Sequence, residues 1–320
     1  MLTVLTLLAL GCAKQTPPGN IAPTPSSVVE PPCGWAEGTT VVYEVVKQRS
    51  DTRKPYLADV RSTTPMTLTV AEVTKRGYRL SLDYGETAIT GLPEEISDGP
   101  GLALFQAMMR VMGGGFHADL MTDNLLTPTG LADLDALRAD LKARMVEVSA
   151  LLVEESGDPK LAGMMDSMLH TVLDNDAALQ QMTLKDIEPL FMTMCGSFEP
   201  GGRVEYADTL PNPFGGAPLD SIGAFDIGHP DVGALPVDWS QTLDPETAGD
   251  ALEDIVAELL GPLDVEAPEG VFDRVDIGDT GHFVVDLAHG WPRSATWQRT
   301  IRILDQERVD RLSYALVEGP

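Results

Sequence analysis

The sequence predicts an α+β fold, an antiparallel sheet packed against a central helical segment, and three observations predict it. Apolar residues alternate with period two near both ends of the chain. The middle of the chain instead keeps helical three- and four-residue spacing. Strands and helices do not alternate in the βαβ manner that a parallel sheet requires.

The elements follow in order. Residues 34–91 predict an antiparallel meander. TTVVYEVVKQ is β-branched and aromatic, and TPMTLTVAEVT places Met66, Leu68 and Val70 on one face. After a turn at Lys75-Arg76-Gly77, Tyr78, Leu80, Leu82 and Tyr84 share a face in YRLSLDYGETAIT. GLALFQAMMRVM, residues 101–112, predicts a short apolar helix stopped by three glycines. FHADLMTDNLLTPTG predicts strand, turn and strand. A helical segment then spans 131–195. Its first helix carries a stripe of Leu134, Leu137, Leu141, Met145, Val148 and Leu152. A second helix is capped at Asp158-Pro159, and a third begins at Thr183 with Asp186 completing a capping box. Residues 199–238 are dense in Gly and Pro and predict loops. DPETAGDALEDIVAELLGP has an N-cap Asp244, Pro245 behind it and a Gly261-Pro262 stop, and predicts a helix. HFVVDLAHG, SATWQRTIRIL and ERVDRLSYALVE return the chain to strand.

The N-terminus sets the expected location. Residues 1–11 end in an apolar run of about ten residues, half what a membrane-spanning helix needs, and fit a signal peptide. Leu8-Ala9-Leu10-Gly11-Cys12 is similar to the lipobox of bacterial lipoproteins, with Ala9 where Leu is usual. That resemblance implies lipidation of Cys12, attachment to the membrane through that lipid, and a place in the cell envelope. Ala13, where Asp would favour the inner membrane, implies the outer membrane if the host is Gram-negative. Residues 12–33 carry the Pro-rich stretch KQTPPGNIAPTPSSVVEPP, which lacks the large side chains to offset its ordering entropy and predicts a tether. Residues 34–320 then form the globular body. With Cys12 carrying lipid, Cys33 and Cys195 remain, and an even remainder in an oxidising compartment predicts a disulfide, with two separate thiols as the alternative.

Composition narrows function. A formal charge of −27 argues against nucleic acid as a partner. Residues 204–273 form an acidic segment with sixteen carboxylates and no Lys or Arg. Such a run reads as a solvated face, or as a surface for cations or a basic partner. No G-x-S-x-G elbow, H-E-x-x-H helix, phosphate loop or dinucleotide fingerprint occurs. Ser221 lies in LDSIG, without the first glycine of an elbow. His117, His170, His229, His282 and His289 are scattered, none at metal-ligand spacing. Neither an enzyme, a metal site nor a cofactor is expected.

Eleven of thirteen methionines lie between Met108 and Met194. Met164, Met165, Met168, Met192 and Met194 fall at helical core spacing. They read as core, as the adaptable lining of an apolar-ligand groove, or, with His170 and Cys195, as soft copper ligands. The layout of strands, helices and strands loosely resembles envelope lipoproteins whose half-barrel sheet holds helices, such as carriers of lipids and lipidated proteins. The expected function is a lipid-anchored binding or structural module with a protein partner or apolar ligand. The alternatives are a carrier of a lipid or other apolar ligand between helices and sheet, and a hydrolase without a recognisable motif.

Overall fold

The computed structural model describes residues 28–93, 115, 117–156, 163, 173–212, 217–247, 249, 275–303 and 305–319. The predicted helices over 101–112 and from Asp158, and most of the one from Asp244, lie outside the described residues, as does Cys12.

The described residues build one twelve-stranded antiparallel sheet in the order β6-β5-β3-β2-β1-β12-β11-β10-β9-β8-β7, with β4 pairing β2 off that path. The strands are β1 (Thr40–Asp51), β2 (Arg61–Thr74), β3 (Gly77–Tyr84), β4 (Ala88–Thr90), β5 (His117–Thr122) and β6 (Pro128–Leu131). They continue as β7 (Arg203–Leu210), β8 (Leu219–Ile227), β9 (Ala234–Leu243), β10 (Val275–Asp286), β11 (Pro292–Ile303) and β12 (Gln306–Glu318). The chain's first and last strands meet at the centre, where Val45 faces Tyr314, and β6 and β7 form the two edges.

This corrects the α+β expectation: the protein is mostly β. Three helices are described, α1 (Leu134–Ser156), α2 (Asp176–Leu184) and α3 (Glu188–Phe191). The long α1 buries Leu137 and Leu141 against Leu173 and Leu179 in a satellite cluster with α2, apart from the main core. Asn175, rather than Thr183, opens α2. Its side-chain oxygen accepts from the Ala177 and Ala178 amides at 3.0 and 3.2 Å.

The larger correction is the segment read as loop, which forms β7, β8 and the start of β9. Its Gly223 is a strand position that makes room for an aromatic ring. A Cβ on Gly223 would come within 2.4 Å of the Tyr206 ring, which lies directly across from it. Tyr206 in turn stacks on Phe225, centroids 5.7 Å apart, and its hydroxyl accepts from Trp239 Nε1 at 2.7 Å. Alternation is hidden in the sequence because the inward positions of β8 read Leu219, Ser221, Gly223, Phe225 and Ile227.

One face of the sheet is buried, and it is called the inner face. Val41, Tyr43, Val45, Met66, Leu68, Leu80, Leu82 and Leu120 line it on one half. Leu235, Val237, Phe283, Val285, Ala295, Leu312 and Tyr314 line it on the other. The turn and helix from Leu184 to Met194 fill the space between, with Ile187 and Leu190 fully buried. At ~25 cal/mol per Å², each of these buried side chains contributes about 1.5–3 kcal/mol. This plug is tied at its end, where Cys195 bonds to Cys33 with Cα atoms 4.8 Å apart. The incoming chain is held alongside: Val29 and Phe198 exchange backbone hydrogen bonds at 2.8 and 2.9 Å. Trp35 stacks on Trp291, and Tyr78 donates to the Cys33 carbonyl at 3.1 Å.

Candidate functional site

The inner face is not uniform. Beyond the plugged core, a polar row crosses it strand by strand in direct register. Gln241 on β9 faces Asp279 on β10, Asp279 faces Arg299 on β11, Arg299 faces Asp310 on β12, and Asp310 faces Arg49 on β1. Direct cross-strand partners share a face and touch, so the row is continuous. Arg299 holds Asp279 bidentately through Nε at 2.8 Å and Nη2 at 2.6 Å, and Asp279 is 3% exposed. Burial pushes the Asp279 carboxyl above its ordinary value, against the opposing hydrogen bonds from Arg299. Arg299 also lies 5.3 Å over the Trp297 ring. Asp310 is taken by Arg49 and by Arg308, the latter at 2.7 Å. On the β8 side the row continues to Ser221, whose hydroxyl accepts from Gln241 Nε2 at 2.8 Å. Asp208 stands opposite Ser221 on the edge strand.

Past this row lies a second apolar cluster on the same face. Leu210, Leu219, Ile277 and Ile301 are its buried members, with Leu243, Val275 and Ile303 packed around them. Every described member comes from a strand; no described helix contributes. The link from β9 to β10 leaves from Leu243 and returns at Val275, both on the rim of this cluster.

At its β10-to-β1 end, away from Asp208, the boundary between row and cluster carries more cations than anions. Arg49, Arg299 and Arg308 face two carboxylates there, Asp279 and Asp310. Asp51, the register partner of Arg308, is already engaged by Arg53 at 2.6 Å. Arg308 Nε is buried and has no hydrogen-bond partner among the described residues. Arg308 stands directly opposite Ile301 of the apolar cluster.

The residues singled out from the sequence fall elsewhere. Met194 is buried in the plugged core and Met192 is half-buried against it, while Met164, Met165, Met168 and His170 lie outside the described residues. Cys195 is committed to its disulfide, which removes it as a copper thiolate. Ser221 is buried within the polar row. His282 pairs with Asp238 at 2.7 Å and His289 with Asp286 at 3.3 Å, separately rather than as a metal pair. Among the described residues, no three or more His, Cys, Asp or Glu converge as a metal site, and no helix is long and apolar enough to cross a membrane. Sequence reading missed the polar row. Its members are spread over strands far apart in the chain and become neighbours only through sheet register.

No family model matches this chain, and no curated protein matches it. Among solved structures it is similar to a chain titled "Lipid-protein interactions in lipovitellin". The TM-score is 0.47 at 9% identity, over 89% of this chain and 26% of that one. The chain thus spans about a quarter of the length of that structure.

Proposed function

We propose that the protein is a lipid-anchored envelope carrier that binds an acyl-chain amphiphile with an anionic head on the inner face of its sheet. The apolar cluster around Ile277 and Ile301 takes the tail, and the guanidinium-rich boundary takes the head. The observation that carries this reading is Arg308. A buried guanidinium nitrogen without a partner costs about 1–3 kcal/mol or more, and a carboxylate or phosphate oxygen beside the apolar cluster would recover it. The separation of an apolar patch from the plugged core by a charged row is what an amphiphile requires, because its two ends need opposite surroundings. The anchor at Cys12 rests on the lipobox-like ending of the apolar run, and three acyl chains would hold the protein firmly on a membrane.

Two experiments test this. Titration of the purified protein with a dansyl-labelled fatty acid is expected to saturate, with Arg308→Gln weakening it about tenfold and Ile277→Asp abolishing it. Absence of saturable binding, or unchanged binding by Arg308→Gln, would overturn the carrier reading. Separately, Cys12→Ser is expected to move the protein from the membrane to a soluble fraction, and retention on the membrane would overturn the anchor.

A further inference from the structure

The opposite, outer face of the sheet holds a depression of about 510 Å³ that the carrier reading does not use. A volume of this order lies within the usual range of small-molecule sites. Its lining comes from two adjacent cross-strand rows. In the first, Arg61 on β2 faces Gln48 on β1, Gln48 faces Arg311 on β12, Arg311 faces Gln298 on β11, and Gln298 faces Thr280 on β10. In the second, Ser313, Thr296, His282 and Asp238 follow one another across β12, β11, β10 and β9. Adjacent strands lie ~4.8 Å apart, so these rows present hydroxyl, amide and guanidinium groups at a regular short interval.

Several of these groups are already oriented by the protein. Gln48 Nε2 donates to the Ala58 carbonyl at 2.8 Å. Arg311 Nε donates to Gln298 Oε1 at 2.8 Å, and Gln298 Nε2 donates to Thr300 Oγ1 at 3.2 Å. His282 Nδ1 is engaged by Asp238, which leaves Nε2 as its outward atom. Two guanidiniums are not used up. Arg61 has no hydrogen bond or ion pair among the described residues, and Arg311 spends only Nε, on a neutral amide. Among the described residues that line the depression, Asp238 is the only carboxylate, and His282 holds it. In a chain of net charge −27 this is a cationic patch on an acidic protein.

We infer that this outer depression binds a short oligosaccharide bearing carboxylates. Sugar hydroxyls match the Gln48 and Gln298 amides and the Thr280, Thr296 and Ser313 hydroxyls, which both donate and accept. The carboxylates match Arg61 and Arg311, whose forked donors take such groups bidentately. Val46, which also lines the depression, gives a small apolar contact to the C–H face of a sugar ring. An acyl chain would leave most of the polar lining unpaired.

Calorimetric titration of the full chain with oligogalacturonate tests this, with a neutral maltooligosaccharide and inorganic phosphate as comparison probes. Saturable binding of oligogalacturonate alone is expected, weakening as salt is added. Arg61→Ala and Arg311→Ala are each expected to lower the affinity about tenfold. Arg53→Ala, whose guanidinium is held by Asp51 away from the depression, should leave it unchanged. Melting temperatures near that of the unaltered protein show that the variants fold. Equal binding of the neutral sugar, binding of phosphate with the same affinity, insensitivity to both arginines, or no binding of oligogalacturonate would each overturn the inference.

Discussion

Arg299 grips Asp279 with two nitrogens, at 2.8 and 2.6 Å, across neighbouring strands of a face that is otherwise apolar on either side. Asp279 is buried and Arg299 half-buried, so removing the guanidinium strands the carboxylate. Asp279→Asn or Arg299→Gln is expected to destabilise by about 3–5 kcal/mol, whereas the apolar double variant Asp279→Leu/Arg299→Met should recover most of that loss. Urea denaturation of the three variants measures it. A double variant as unstable as the worse single one would mean that the pair holds the sheet together rather than dividing its inner face.

The disulfide ties residues 162 apart and fastens the plug to the incoming chain. Replacing both cysteines by serine is expected to cost about 2–5 kcal/mol. Peptide mapping without reductant should recover a Cys33–Cys195 cross-linked pair. Two free thiols in protein purified without reductant would contradict the bond.

Gly223→Ala puts a methyl group into the Tyr206 ring. The expected loss is about 1–3 kcal/mol. It should shrink in the Tyr206→Ala background, because the obstacle is then gone. A double-mutant cycle with no coupling would contradict the packing described for β7 and β8.

Asp286 sits at the end of β10 with its carboxyl below the ordinary value. Burial pulls it up, but the hydrogen bonds from Arg293 and from the Ala288 and His289 amides outweigh that. A carboxyl held lower in the folded chain than in the unfolded one stabilises fully above the unfolded value of about 3.9, and that contribution is lost as pH falls through the lower folded value. Asp286→Asn should therefore lower stability at pH 7, with the difference from the unaltered protein vanishing in strong acid. Melting temperatures measured from neutral pH downward read this. A difference that grows on acidification would reverse the sign.

Period-two alternation made β1, β2, β3 and the C-terminal strands legible, because Val41, Tyr43 and Val45, or Leu80 and Leu82, all face one apolar interior. The stripe of Leu137, Leu141, Met145 and Val148 likewise marked α1. β7 and β8 were illegible because their inward positions are taken by Gly223, Ser221 and Asp208, which serve an aromatic neighbour and a polar row rather than a continuous core. The α+β expectation failed for a related reason. A long helical pattern says that a helix has an apolar side, not that the side covers the sheet, and α1 spends Leu137 and Leu141 on α2, Leu173 and, at the sheet's edge, Leu131. The boundary at Arg308 depends on register between β11, β12 and β1, which no local pattern specifies.

The most direct test of the carrier account is native mass spectrometry of the protein gently extracted from its own membrane. The account predicts a covalent mass increase on Cys12 and, in addition, a non-covalent anionic amphiphile that is retained by the unaltered protein and lost from Arg308→Gln. A spectrum showing only the protein and its covalent anchor, with no amphiphile at any extraction condition that preserves the fold, would contradict it.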